Sequence, residues 1–381
     1  MSTLDLIAKS VGENQVYIGI KGSYTKAVEA VKSNLSSFKN MDISILPEIY
    51  PAGDEVILIY ETTKRVVPPG SIPISVGVTV FNVETILNVY NAIHNQEPVT
   101  YKYVTIAGEV KNPITVKAPI GITVEELVQL AGGATVKDPV YIGGGPMTGK
   151  ITQPYDTITK TSNAILVMPK NHYIVCKRLS KPSIDVKRAM SVCCQCHMCT
   201  DLCSRNLLGH PIEPHAFMRI AANEPNGDIA PALNTMFCSQ CGLCEMYACF
   251  QDLSPRTLIG ACKAGLRKNG VPIPKDVKAA PVNPDRDARR VPMARLTARL
   301  GLNQYNVSAP LVDEPVHTSK VKIMLSQHIG APATPVVKVN DRVQAGQVIG
   351  EIGEGKLGVP VHASLSGVVT DVNDKYVTIQ A

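Results

Sequence analysis

CCQCHMCTDLC, residues 193–203, decides how this chain is read, and CSQCGLCEMYAC at 238–249 nearly repeats it. The spacings are Cys193-x2-Cys196-x2-Cys199-x3-Cys203 and Cys238-x2-Cys241-x2-Cys244-x4-Cys249. Thiolates at x2, x2 spacing can hold three corners of an iron–sulfur cube from one tight loop. In two-cluster ferredoxins the fourth reaches the neighbouring cube. The expectation is two [4Fe–4S] clusters in a protein that moves electrons singly. Zinc is the weaker reading, because its sites draw pairs of cysteines from separate knuckles and would leave ligands over. Disulfides need an oxidising compartment. The opening MSTLDLIAKSVG has no charged segment followed by an apolar one, so no secretory signal is read. Two details depart from the bacterial run: Ser204 and Phe250 stand where a proline usually follows, and the second motif has x4 in place of x3.

Composition narrows the partners. The chain has 381 residues, 45% hydrophobic and 18% charged, which suits several packed domains and not disorder. No apolar stretch approaches the roughly eighteen residues of a membrane span, so any membrane role would come through a partner. The formal charge of +6 counts the cysteines as neutral. Thiols ionised to hold metal would lower it, so it says little about partners. With no Trp and 5 Phe, no aromatic platform for nucleic acid is read. Cys176, Cys194 and Cys262 fall outside the quartets. Cys176 and Cys262 read as small buried side chains, and Cys194 as a bystander in the first loop or a spare ligand.

Outward from the cysteines, the chain divides by pattern into a multidomain α+β protein. Residues 1–98 read as an α/β piece: QVYIGI and EVILIYE as strands, KAVEAVKSNLSSF as a helix, and SVGVTVFNVETILNVYNAI as a strand turning into a helix at Asn82. Residues 99–170 read as a β-grasp module. Its one helix, in GITVEELVQLAGG, is capped by Thr123 with Glu126 at the capping-box position and is closed by Gly132 and Gly133. Residues 171–275 hold the cysteines between helical segments, PHAFMRIAAN and RTLIGACKAGLRKNG, which predicts an α-helical two-cluster ferredoxin domain. Residues 276–310 carry Arg286, Arg289, Arg290, Arg295 and Arg299 and read as a solvated linker, with a basic docking patch as the alternative. Residues 311–381 alternate β-branched residues with Gly turns and predict a barrel-sandwich hybrid of the lipoyl type.

Three features mislead. GGPMTGK at 144–150 fits GxxxxGK, but Ile151 replaces the Ser or Thr of a P-loop and Pro154 comes too early for the helix that should follow. Lys356 lies where lipoyl domains carry their modified lysine, but Gly355 and Leu357 flank it, which favours an unmodified barrel. His172, His197, His210 and His215 are unnecessary as ligands beside eight cysteines. His197, inside the first loop, is placed to donate to a cluster sulfur.

CCQCHMCTDLCSRNLLGHPIEPHAFMR and CSQCGLCEMYACFQDLSPRTLIGACKAGLRK resemble the cobalamin (corrinoid) reductase family of propanediol-utilisation microcompartments. That family belongs with the RnfC-like proteins of Rnf electron-transport complexes and the flavin subunit of respiratory complex I. The likeness covers nearly the whole chain. YPAGDE at 50–55 and GVTVFNVETILN at 77–88 are similar to the complex I 51 kDa-like flavin domain. VTIAGEVKNPITVKAPIGITVEELVQLAGGA is similar to the soluble-ligand-binding β-grasp (SLBB) module, and QHIGAPATPVVKVNDRV with VPVHASLSG to the barrel. RnfC proteins usually carry the barrel first. Here it comes last, as in the cobalamin-reductase branch.

The resemblance implies an NADH-dependent oxidoreductase with FMN, passing single electrons through two [4Fe–4S] clusters to a corrinoid or a corrinoid-handling enzyme. It implies a cytoplasmic protein housed in a bacterial microcompartment, with a shell or electron-transport partner. Carried over by motif, Cys193, Cys196 and Cys199 with Cys249 hold one cluster, and Cys238, Cys241 and Cys244 with Cys203 the other. Asn82, Thr85, Gly53 and Glu55 match positions near FMN. The family's flavin domain opens with a glycine-rich loop of the GGAGFPT kind that cradles the phosphate. No such loop precedes these motifs, so the chain is expected to start partway into a shortened flavin domain with weakened FMN binding. The alternative is a non-catalytic iron–sulfur relay within an Rnf-like complex.

Overall fold

The computed structural model describes residues 1–12, 15–223 and 227–381. The chain forms two compact units, one of residues 1–86 with 179–302 and one of 87–178 with 303–381.

In the first unit, Val16–Lys21 and Met41–Leu46 pair in parallel through the helix Thr25–Leu35, a small βαβ arrangement. The strand Met41–Leu46 is an addition to the sequence reading, and the reading of EVILIYE is corrected outright. It forms the helix Glu55–Thr63, not a strand, because Asp54 caps it by accepting from the amides of Val56 (3.1 Å) and Ile57 (3.3 Å). A short run that is apolar on every side has no period to separate helix from buried strand. The start of SVGVTVF is also corrected. Val76, Val78 and Val80 do pack on a core with Val56, Ile57, Ile59, Val67 and Leu208, but among the described residues no strand pairs with that segment. The helix Val83–His94 then begins where expected, with the Asn82 side chain accepting from the Glu84 amide at 2.9 Å.

The cysteine segment of this unit is helical, as the sequence indicates. Pro182–Val192, Pro214–Ala222 and Pro255–Lys268 each start with Pro in the first turn, where a missing N–H costs nothing. They pack through Ala189, Phe217, Met218, Leu258 and Ile259. The stretch 276–302 departs from a solvated linker. Arg286 is 5% exposed, lies 4.6 Å over the Tyr60 ring and pairs with Glu61, while Arg289 reaches Asp201 at 3.1 Å. Its backbone is tied down where the Ala280 amide donates to Gly209 O at 2.8 Å and that of Asn283 to Leu207 O at 3.0 Å. Gly209 has φ +83°, and a Cβ there would lie 1.9 Å from Ala280 O, so the close approach requires glycine.

In the second unit a six-stranded sheet runs in the order Leu311–Val312, Ile114–Pro119, Tyr101–Gly108, Ala164–Pro169, Pro139–Gly143, Lys150–Thr152. The helix Val124–Leu130 crosses it over a core of Val104, Ile106, Leu127 and Val167, and the Thr123–Glu126 capping box is present. GGPMTGK is the turn of the antiparallel Pro139–Gly143/Lys150–Thr152 hairpin, not a phosphate loop. The C-terminal residues form a four-stranded and a three-stranded sheet closed over Val321, Ile323, Ile349, Val369 and Ile379. Lys356 sits exposed in the turn between Val348–Glu351 and Val361–His362.

Candidate metal centres

Each cysteine loop uses the same local device. Gln195 (φ 52°) and Gln240 (φ 60°) occupy the left-handed region one residue before the second cysteine. That conformation turns the loop tightly enough to bring neighbouring thiols inward. The amide nitrogens of both side chains then reach back to the first cysteine of the loop, Gln195 Nε2 to Cys193 Sγ at 3.4 Å and Gln240 Nε2 to Cys238 Sγ at 3.3 Å. Backbone donors add to this, Gln240 N to Cys238 Sγ at 3.3 Å and Leu253 N to Cys249 Sγ at 3.4 Å. Donors aimed at sulfur favour the thiolate.

The tertiary structure sorts the thiols into two groups that cut across the sequence motifs. Burial pushes the Cys199 thiol up to about 12, and the neighbours that raise it further are Cys249, Cys196 and Cys193. Burial likewise pushes Cys203 up to about 12, and its thiol neighbours are Cys241 and Cys238. Cys244 is raised well above the usual value by burial and then by Cys238, Cys241, Glu245 and Cys203. Cys203, Cys238, Cys241 and Cys244 also line one cavity together. The fourth cysteine of each motif thus stands with the first three of the other.

This donor set fits two iron–sulfur cubes. Buried thiols crowded by one another hold their protons, and they ionise only when positive charge arrives among them. Among the described residues, no three Cys, His, Asp or Glu side chains converge on a single ion. A cube spreads its ligands over four corners, so its thiols need no common point.

Histidines near the loops are structural supports. His197 (φ 67°) stacks on His215 with ring centroids 3.5 Å apart, and His215 Nδ1 bonds the Thr200 hydroxyl at 2.8 Å. His210 Nε2 bonds Val67 O at 2.9 Å, and burial, then Arg205, lowers its pKa to about 4. His172 Nδ1 accepts from the Ile174 amide. Cys194 and Cys176 are exposed, and Cys262 is half-buried.

The flavin-type residues are placed differently. Gly53, Glu55, Asn82 and Thr85 are all exposed, at the heads of the helices Glu55–Thr63 and Val83–His94. A Cβ on Gly53 would meet nothing within 4 Å. At these helix ends Asp54 takes up the amides of Val56 and Ile57, and Asn82 that of Glu84. Asp54, which the motif comparison does not single out, is the residue of AGDE that the fold uses most. Besides its cap it receives both bonds of Arg205, the second residue after Cys203. A cap residue before an apolar run is the signal for it in the sequence. Beside it, the Tyr50 hydroxyl donates to Cys241 O at 2.7 Å.

Comparison with known proteins matches four segments of the chain. Residues 1–91 match the Nuo51 FMN-binding domain, 103–150 an SLBB domain, 192–254 a 4Fe-4S dicluster domain and 306–381 the RnfC barrel sandwich hybrid domain. Cobalamin reductase PduS of Salmonella typhimurium is 39% identical over 374 residues, which are 97% of this chain and 81% of that protein. The Citrobacter freundii PduS is 38% identical with the same coverage. The chain belongs to the PduS cobalamin reductase family. A component of the Na+-translocating ferredoxin:NAD+ oxidoreductase complex of Acetobacterium woodii is a more distant relative, 31% identical over 54% of this chain and 44% of that protein. As a PduS-family member the chain is an electron-transfer flavin/iron–sulfur protein with FMN-binding and 4Fe–4S domains. Among the described residues no helix is long and apolar enough to cross a membrane.

Proposed function

We propose that this chain is an NADH-dependent reductase that delivers single electrons to a corrinoid through two [4Fe–4S] clusters. Cys193, Cys196, Cys199 and Cys249 hold one cluster. Cys203, Cys238, Cys241 and Cys244 hold the other. The observation that carries this reading is that Cys203, from the first motif, lines one cavity with Cys238, Cys241 and Cys244, while Cys249, from the second, acts on Cys199. The PduS relatives, named as cobalamin reductases, support the acceptor. The balance is one hydride from NADH, released as NAD+ and a proton, against two cobalt centres each reduced by one electron. A bound flavin supplies the conversion from paired to single electrons. The chain's own part is to supply eight thiolates and to fix the loops through Gln195 and Gln240. A microcompartment shell or corrinoid-handling enzyme is the partner this reading implies.

A second reading, an iron–sulfur relay without its own flavin chemistry, is favoured by the self-capped heads of the two flavin-domain helices. Anaerobic reconstitution separates the two. The first reading expects about eight irons per chain, flavin fluorescence released on denaturation, and NADH oxidation that depends on added aquacobalamin. Full iron with no flavin uptake and no NADH oxidation would establish the relay instead. Far fewer irons would remove both.

A further inference from the structure

The two cysteine loops match in their hydrogen bonding, with Gln195 and Gln240 in equivalent roles, but differ in the charges around them. The cavity lined by Cys203, Cys238, Cys241 and Cys244 is also lined by Arg205 and Arg256. Lys263 adds its ammonium 2.8 Å from Cys238 O. Most of this charge is compensated within the protein. Arg205 is paired with Asp54 at 2.9 Å. Glu245, adjacent to Cys244, brings a carboxylate that accepts from the Thr257 amide at 2.8 Å. Arg256 is in no ion pair. It has no acidic partner among the described residues, and its Nε is buried with no acceptor.

The position of Arg256 is unfavourable without an anion nearby. It is the second residue of the helix Pro255–Lys268, where the helix dipole is positive and a cation is repelled. A buried donor with no acceptor adds a further penalty. Both disappear if a negatively charged group sits in the cavity that Arg256 lines. A cube held by four thiolates is net negative and gains one more negative charge on reduction. Beside the other group, Arg188 is already paired with Asp252, three residues after Cys249, at 3.5 Å. In the first loop, His197 stacks on His215.

We propose that Arg256 is the charge-compensating residue of the Cys203–Cys238–Cys241–Cys244 centre and makes it the more easily reduced of the two. Electrons entering the pair therefore come to rest there. This rests on the reading that both quartets hold clusters, and the test keeps the two separable.

The experiment is an EPR-monitored redox titration of the reconstituted full chain and its variants. The unmodified chain should reduce in two steps. Arg256→Gln should lower the higher step by about the 59 mV of a tenfold change in a one-electron equilibrium and leave the lower step in place. Arg256→Lys, which keeps the charge, should retain most of the higher potential. Cys249→Ala should keep the higher step, since its lost ligand belongs to the other centre. Coincident steps in the unmodified chain, an unmoved higher step in Arg256→Gln, or a Lys variant that behaves like the Gln variant overturns the assignment. Loss of a cluster from Arg256→Gln alone, with Arg256→Lys fully loaded, upholds the need for charge. An unmodified chain with far fewer than about eight irons removes the cluster reading itself, whereas loaded chains with unmoved steps remove only the role of Arg256.

Discussion

Arg205 donates to both carboxylate oxygens of Asp54, each at 2.9 Å, and so joins the loop after Cys203 to the helix Glu55–Thr63 of the flavin-type segment. Both side chains are about 15% exposed, so neither charge is well solvated. Asp54 also caps that helix, so one carboxylate serves an ion pair and a helix end.

Asp54→Ala should therefore cost more than a cap. Loss of the cap is worth about 1 kcal/mol, and stranding a mostly buried Arg205 adds about 3 kcal/mol. Urea denaturation of the metal-free chain measures the sum. Asp54→Asn keeps a capping oxygen and should lose only the ion-pair part. Equal losses in the two variants would show that the cap contributes nothing, and an unchanged Asp54→Asn would show the same of the pair.

The crossed thiol groups predict which cysteines fail together. Cys193→Ala and Cys249→Ala should each lose the same centre, and Cys203→Ala should lose the one served by Cys238. Iron content should fall by about half in each case, with matching EPR spectra for Cys193→Ala and Cys249→Ala. Matching spectra for Cys193→Ala and Cys203→Ala would contradict the crossing.

Burial holds Cys199 and Cys203 as neutral thiols up to about 12 in the metal-free fold. The unfolded chain ionises nearer the ordinary thiol value of about 8.5. The folded state thus binds these protons more tightly, and their contribution is present below the ordinary value and lost as pH rises toward 12. The metal-free chain should lose thermal stability above about pH 9. The loaded chain, whose thiolates are already bound to iron, should lose less. Identical pH profiles for the two forms would refute the assignment.

His210 titrates in the opposite sense. Its pKa is lowered from 6.5 to about 4, by burial first and by Arg205 next. Its stabilising effect is present above 6.5 and is lost as pH falls toward 4. Unmodified protein should weaken over that interval more steeply than His210→Gln, as followed by denaturation midpoints.

Gly209→Ala should destabilise by more than about 2 kcal/mol, combining left-handed strain with overlap against Ala280 O. Gly53→Ala, at an open position, should be nearly silent in the same assay. A small effect at Gly209 would mean that the 276–302 strap moves aside freely.

Much of the local structure is legible in the residues. The Thr123–Glu126 capping box, the Asn82 cap and the proline-headed helices rest on contacts within a few positions, which sequence spacing records directly. EVILIYE reads as a strand because a short, almost wholly apolar run carries no period that separates strand from helix. Only the Asp54 cap decides between them.

Spacing by itself determined that two triplets of cysteine could each grip a cube, since that geometry closes within one loop. The crossing of the fourth thiol is already expected from the two-cluster pattern, but what brings Cys249 near Cys199 and Cys203 near Cys241 is the tertiary packing of segments far apart in the chain. The same holds for Arg286, which reads as linker charge and is buried against Glu61 and Tyr60. Long-range pairing depends on which surfaces meet when helices pack, and no local pattern encodes that choice.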